Sequence, residues 1–326
     1  MRTVGLAFVF ALTATAVAAP NALAQSSGRW SFEPSSASGA EVNRSSFDYT
    51  LSPGSAIQDF VRLSNGTGHD ISFTIYSADA YTTAQGSFAL RLRDQPRNGV
   101  GAWVSLPFTS RTVAAGTVAT FPIQLGVPAG TAPGDWAGGV VAVATTAGAT
   151  GTANGLTVEQ GNGVRIYVRV QGSLHPSLTI TKFDSRWSGG AWSPLAGSGS
   201  ATFTYAVAND GNVRLGGTAT LEITDAFGHT VKRFEPRSLP DLLPGDTSTL
   251  TETWDGLPAF GVRLQPRLVV QTPDVEVVRD AASVWHVPVP VNIAVLALAT
   301  SIVLAARALL RLRRRGMPVV PTAVVG

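Results

Sequence analysis

The sequence predicts an all-β protein built in two halves, closed at its C-terminal end by one apolar helix. Alternation of apolar and polar residues with period two recurs between turn signals from about Phe47 to Val284, and no stretch in between sustains a helical period. The third observation is Val287 to Ala306, VPVPVNIAVLALATSIVLAA, which carries no charge. Over 326 residues, 44% hydrophobic and 14% charged content describes a folded chain long enough to bury two cores.

The first half reads as strands at Phe47 to Leu51, Asp59 to Leu63, Ile71 to Tyr76, Ser87 to Leu92, Val118 to Leu125, Val140 to Ala144 and Val164 to Val170. Turns separate them at Ser52-Pro53-Gly54, Asn65-Gly66-Thr67-Gly68, Gln85-Gly86 and Ala115-Gly116. Ala147 to Gly163, rich in Gly, Thr and Ala, reads as a long exposed loop or a loose hairpin tip. A second series follows Gly172-Ser173: Leu178 to Phe183, Ala201 to Ala208, Thr218 to Thr224, Thr230 to Phe234, Ser248 to Trp254, Arg263 to Gln271 and Val275 to Val284. Its turns are Asn209-Asp210-Gly211-Asn212, Ala226-Phe227-Gly228 and Pro244-Gly245-Asp246. Both halves share a plan in which a strand runs into an Asn-Gly or Asn-Asp-Gly turn, and a Gly turn later precedes a Thr/Ser-rich strand. Short strands at this spacing predict two tandem immunoglobulin-like β-sandwiches, residues 30–172 and 173–286.

The two ends predict topology. Met1-Arg2, an apolar run from Val4 to Ala19 and Ala22-Leu23-Ala24 before Gln25 form a signal-peptide pattern over residues 1–24. Residues 287–310 read as a transmembrane helix, with Pro288, Pro290 and Asn292 weakening its outer end. Arg307, Arg311 and Arg313-Arg314-Arg315 then act as a stop-transfer signal, and residues 311–326 as a basic cytoplasmic tail. The expectation is a single-pass membrane protein whose sandwiches face the exterior.

That topology changes the meaning of a sequence pI near 9.6. Sixteen arginines and two lysines stand against all 21 acidic residues in the exterior part, so its net charge is −3 and the basicity belongs to Arg2 and the tail. Nucleic-acid binding, which needs a basic face on the folded domain, loses its main support. With no cysteine, the exported domains rely on packing alone.

Catalytic patterns are missing. His69, His175, His229 and His286 are scattered, with no His-Glu-x-x-His, Gly-x-Ser-x-Gly or phosphate-binding glycine loop. Asp210-Gly211-Asn212 lacks the ligand spacing of a calcium loop and reads as a hairpin turn. Asn43-Arg44-Ser45 and Asn65-Gly66-Thr67 match the glycosylation pattern and read as plain turns. The expectation is a binding protein without catalysis, cofactor or metal.

One stretch stands apart: VPAGTAPGDWAGGV, Val127 to Val140. Pro133 fixes φ, Gly134 permits positive φ, and Gly138-Gly139 allow a bulge or a close backbone approach. It is either a sandwich corner or a rigid mount that presents Asp135 and Trp136, with Asp79 and Tyr81, to a glycan or peptide. Carboxylates accept from hydroxyl or amide donors, and aromatic faces stack on sugar rings.

The same stretch resembles the V-P-x-x-A-x-P-G-x-x-x-G-G-V signature of the N-terminal domain of bacterial WxL-interacting proteins. SFDYTLSPGSAIQDFVRLSNGTG, IYSADAYTTAQGSFAL, GAWVSL and GVRIYVRVQG are similar, in order, to further segments of that domain, from Trp30 to Gly172. The resemblance implies peptidoglycan binding by the first domain, a second sandwich that binds a partner or host, and a membrane helix with a basic tail. No Trp-x-Leu occurs in the chain, which therefore resembles the anchoring partner of a WxL-bearing surface protein. Two rival expectations stand beside it: a sandwich chaperone or accessory subunit of envelope assembly, working through an exposed strand edge, and a wall-glycan hydrolase using Asp79 and Asp135, which would need a cleft between them.

Overall fold

The computed structural model describes residues 30–145, 151–153, 156–158, 160–188, 199–255, 262–281, 283–286 and 289–315. The expected signal peptide and the tail beyond Arg315 lie outside them.

The first sandwich contains β1 (Trp30–Ser35), β2 (Ser46–Leu51), β3 (Ala56–Asn65), β4 (Ile71–Thr82), β5 (Phe88–Leu90), a single helical turn α1 (Val100–Trp103), β6 (Val104–Ser105), β7 (Ser110–Val113), β8 (Val118–Gly126), β9 (Gly134–Ala144), the short hairpin β10 (Gly151–Ala153) and β11 (Leu156–Val158), and β12 (Gly161–Val170). One sheet runs β1-β3-β8-β6, the other β2-β12-β9-β4-β5 with β7 also on β4. Only β2 and β12 pair in parallel among the pairings described. Alternation is plain in β12, where Val164, Ile166, Val168 and Val170 are buried while Arg165 and Arg169 point out. They join Phe47, Leu63 and Phe73 in one core.

The second sandwich contains β13 (Leu178–Ser188), β14 (Ser200–Asn209), β15 (Leu215–Thr224), β16 (Thr230–Arg233), β17 (Arg237–Leu242), β18 (Thr247–Asp255), β19 (Val262–Gln271), β20 (Glu276–Asp280) and β21 (Val284–His286). A β13-β14-β18 sheet faces a sheet ordered β16-β15-β19-β20, with β17 on β15 and β21 on β19. Phe203, Tyr205, Leu221 and Ile223 centre a second core, separate from the first. The fold is thus all-β, two sandwiches followed by a C-terminal helix. That helix, α2 (Val289–Arg315), includes Ile293–Arg311, 19 residues of mean hydropathy 2.3 with no part buried in the protein, long and apolar enough to cross a membrane.

Three local features differ from the sequence reading. The alternation in GAWVSL predicts a strand with Trp103 in the core, whereas Trp103 ends α1, because the loop before it is gathered into a helical turn with Ala102 N–H and Trp103 N–H donating to Gly99 O. The side chain is nevertheless core, 8% exposed. The expected final strand Val275 to Val284 is split: Asp280 faces Arg267 and Val284 faces Leu264, one residue out of register, with Ala281 N–H donating to Pro266 O at the break. β1 and β17 were hidden by Pro34 and Pro240, which weaken a strand pattern and are tolerated here on edge strands.

Candidate functional site

The Pro-Gly corner answers to the second sandwich. Gly134 opens β9 with φ +131, and a Cβ there would lie 2.4 Å from Asn212 O, so both backbone conformation and space demand glycine. Across this gap Asp135 N–H donates to Asn212 O at 2.7 Å, and the Asn212 side-chain amide donates to Pro133 O (3.0 Å) and Ser173 O (2.9 Å). Asn212 Oδ1 accepts from His175 N–H at 2.6 Å. The β14–β15 turn is therefore a plug seated on the corner.

Asp135 locks the plug in place. Its carboxylate takes a two-point ion pair from Arg169 on β12, Nε at 2.6 Å and Nη2 at 2.7 Å, and accepts the Arg214 backbone N–H at 2.9 Å from the second sandwich. The Arg214 guanidinium lies 4.3 Å over the ring of Tyr167 in the first. A second joint forms at the end of β4, where Thr82 N–H donates to Asp246 Oδ2, Leu243 N–H to Thr82 Oγ1, and Thr249 N–H to Ala84 O.

Burial opposes ionisation of Asp135, yet the hydrogen bonds from Arg169 and from the Arg214 N–H, with the Arg169 charge, outweigh it and hold the carboxyl below its ordinary range. A depressed pKa stabilises the folded state above the unfolded carboxyl pKa, and this contribution disappears as pH falls through the folded value. Below about pH 4, thermal stability of the wild type should fall more steeply than that of Asp135→Asn, as scanning calorimetry would show. Parallel curves would remove Asp135 as the acid-sensitive lock.

Between the two joints lies an open cleft of about 580 Å³, whose lining includes Asp79, Arg91, Pro96, Ala132, Asp135, Trp136, Asn212, Leu243 and Asp246. Three of the four residues singled out from sequence thus meet in one place. They are neighbours because β4 pairs with β9, Asp79 facing Gly138. Their side chains are committed, however. The Asp79 carboxylate accepts N–H groups of Asn98 (2.6 Å), Gly99 (3.0 Å) and Gly101 (2.7 Å), thereby folding the α1 turn onto the sheet. Trp136 is half-buried, packs on Trp103 with ring centroids 5.0 Å apart, and donates its indole N–H to Ala132 O at 3.2 Å. Tyr81 does not line the cleft; its ring lies 5.4 Å from the guanidinium of Arg91, which does.

The corner expectation and the site expectation therefore overlap: the corner is rigid because a domain joint needs it. Arg169, Asn212, Arg214, Arg91 and Asp246 were not singled out from sequence. A hairpin turn such as Asn209-Asp210-Gly211-Asn212 carries no local mark of the distant corner it fits. Among the described residues no cluster of three or more His, Cys, Asp or Glu side chains could hold a metal ion.

Fold and joint define a two-domain β-sandwich protein with a C-terminal apolar helix. No family model matches the sequence, and no curated protein matches it. Among solved structures, a chain from a chaperone-tip adhesin complex of CFA/I fimbriae biogenesis is similar over 79% of this chain and 100% of that one, with 11% identity and a TM-score of 0.39. The class 5 fimbriae chaperone CfaA is similar over 77% of this chain and 99% of its own, with 13% identity and a TM-score of 0.37. The E. coli chaperone DraB is similar over 79% and 98%, with 9% identity and a TM-score of 0.31.

Proposed function

We propose that this is a membrane-anchored, non-enzymatic binding protein of the cell exterior, and that its interdomain cleft holds a segment of a surface or exported protein partner. The observation that carries this reading is the state of the cleft's polar groups. Asp79 and Asp135, which a glycan contact or a glycosidase would use, already accept hydrogen bonds within the fold. Around them the lining adds apolar surface from Pro96, Ala132 and Pro244, the cation of Arg91, the Asn98 side chain, and Asp246, one oxygen of which accepts Thr82 N–H. Apolar surface beside a cation suits an extended peptide carrying apolar side chains and an acidic group better than a sugar ring rich in hydroxyls.

A scaffold or accessory subunit of envelope assembly would use such a cleft, as would the anchoring partner of a WxL-bearing protein implied by the resemblance of residues 30–172. The Arg-rich end of α2 supports an orientation with the sandwiches outside. Photo-crosslinking in cells from Ala132, at the cleft rim, is expected to capture an exported protein that is not captured from Asp274. Arg91→Ala and a cleft-filling Ala137→Trp should reduce the capture. Equal capture from both positions would refute the cleft as the binding place. Cosedimentation of the protein with purified peptidoglycan, unaffected by the cleft variants, would replace the peptide reading with wall binding.

A further inference from the structure

The β15–β16 hairpin ends in Asp225-Ala226-Phe227-Gly228-His229, and Phe227 at its tip is 86% exposed, the most exposed large apolar side chain among the described residues. A lone exposed aromatic would ordinarily mean little; its place in the sheet gives it meaning. Thr224, the last residue of β15, faces Gln265 near the start of β19, and on the other edge of β19 His286 faces Val262. The tip and the exit of β21 thus lie at the same end of one sheet, two strand spacings or about 10 Å apart. Only two residues separate His286 from Val289, the first of α2, a reach of about 10 Å at most. The apolar span begins four residues later, at Ile293.

We infer that the Phe227 hairpin is a second membrane contact, a foot that enters the headgroup and upper acyl region of the bilayer beside α2. This rests on the reading of α2 as a membrane span.

The chemistry of the tip suits that medium. Backbone polar groups keep water in the headgroup layer and lose it below, so internal partners ease the entry of a loop. Asp225 N–H donates to His229 O, Gly228 N–H to Asp225 O, and the N–H groups of Phe227 and His229 both donate to Asp225 Oδ1 at 2.8 and 2.9 Å. Asp225 Oδ2 lies 3.1 Å from His229 Nδ1, so the acid is partnered inside the turn. Gly228, at φ +85, closes the turn and leaves Phe227 projecting. Val231 is exposed just behind it, followed by Lys232, a cation suited to anionic headgroups, while Arg233 is paired with Glu222 across the hairpin. A single helix leaves a domain free to tilt and rotate; a foot about 10 Å away fixes its rotation about the helix axis and hence the direction in which the interdomain cleft faces.

The chain has no cysteine, so single labels are easily introduced. Full-length protein would be reconstituted in phosphatidylcholine–phosphatidylglycerol vesicles and labelled with an environment-sensitive fluorophore at Ala226→Cys, at Asp274→Cys on the opposite end of the same sheet, or at Leu298→Cys within α2. The labels at 226 and 298 should emit to the blue of the label at 274, and brominated lipid should quench them and leave 274 unchanged. Adding Phe227→Ser should abolish the effect at 226 and not at 298. Quenching at 298 with a water-like signal at 226, or indifference of the 226 signal to Phe227→Ser, would overturn the foot and leave the anchor standing. No quenching at 298 would overturn the anchor and the foot with it.

Discussion

Trp103→Ala is expected to destabilise the first sandwich by about 3 to 5 kcal/mol, the range for emptying a buried large aromatic site. Trp103 is 8% exposed and sits where α1 closes over β4 and β9. The space it would leave cannot easily collapse, because the turn beneath it is pinned: Asp79 holds three of its N–H groups, and a Cβ on Gly101 would come within 2.5 Å of the Ala78 carbonyl carbon. Trp136→Ala removes a half-buried partner of the same ring pair and is expected to cost less, about 1 to 2 kcal/mol from reduced burial and the lost ring contact. Urea unfolding of both variants, followed by circular dichroism, would measure the difference. An unchanged midpoint for Trp136→Ala would show that its indole adds nothing to packing and would return it to the role of a pure ligand contact.

Much of this architecture is readable residue by residue, and the reason is that turns and alternation are local. Ser52-Pro53-Gly54, Gln85-Gly86, Ala115-Gly116 and Pro244-Gly245-Asp246 announce turns because glycine adopts the left-handed conformation without steric cost, and Gly54, Gly86, Gly116 and Gly245 all have positive φ. Gly138-Gly139 announce a close approach, which is what occurs: a Cβ on Gly139 would lie 2.5 Å from Val164 O. What stays hidden is long-range. Asp135 reads as an exposed acid on a rigid mount; only the fold brings Arg169 and the Arg214 N–H to it, 34 and 79 positions along the chain. Asp79 reads as a free carboxylate on a strand, whereas its partners are backbone amides of a turn with no helical period to reveal it. Three of the residues chosen by type alone thus line one cleft, and the two carboxylates among them are already in use within the fold.

The shared Asn turn of the two halves carries the last large effect. Asn65 ends β3 and Asn209 ends β14, and both are fully buried. Asn65 donates to His69 O and Val113 O and accepts from Thr67 N–H; Asn209 donates to Val213 O at 2.7 Å and Leu242 O at 2.9 Å and accepts from Gly211 N–H at 3.0 Å. Each is thus a knot tying its own turn to a neighbouring strand or loop, and the weak repeat in sequence is this knot used twice. Asn209→Ala would leave two buried carbonyls and one N–H without partners, and at about 1 to 3 kcal/mol for each such group, with partial relaxation, the expected cost is about 3 to 5 kcal/mol. Because the turn also carries Asn212, the interdomain joint should loosen with it, so limited proteolysis near Ser173 should accelerate. Asn209→Asp separates loss of the donors from simple loss of volume. A carboxylate facing two carbonyl oxygens is disfavoured, so its folded pKa should rise above the unfolded value of about 3.9. The variant should then be closest to wild type below that pH and lose stability as pH climbs through the raised folded value. Melting curves for wild type, Asn209→Ala and Asn209→Asp at pH 4 and pH 7 would decide it. An Asp variant equally stable at both would mean that the two carbonyls do not depend on the amide donors, and the knot would then be shape alone.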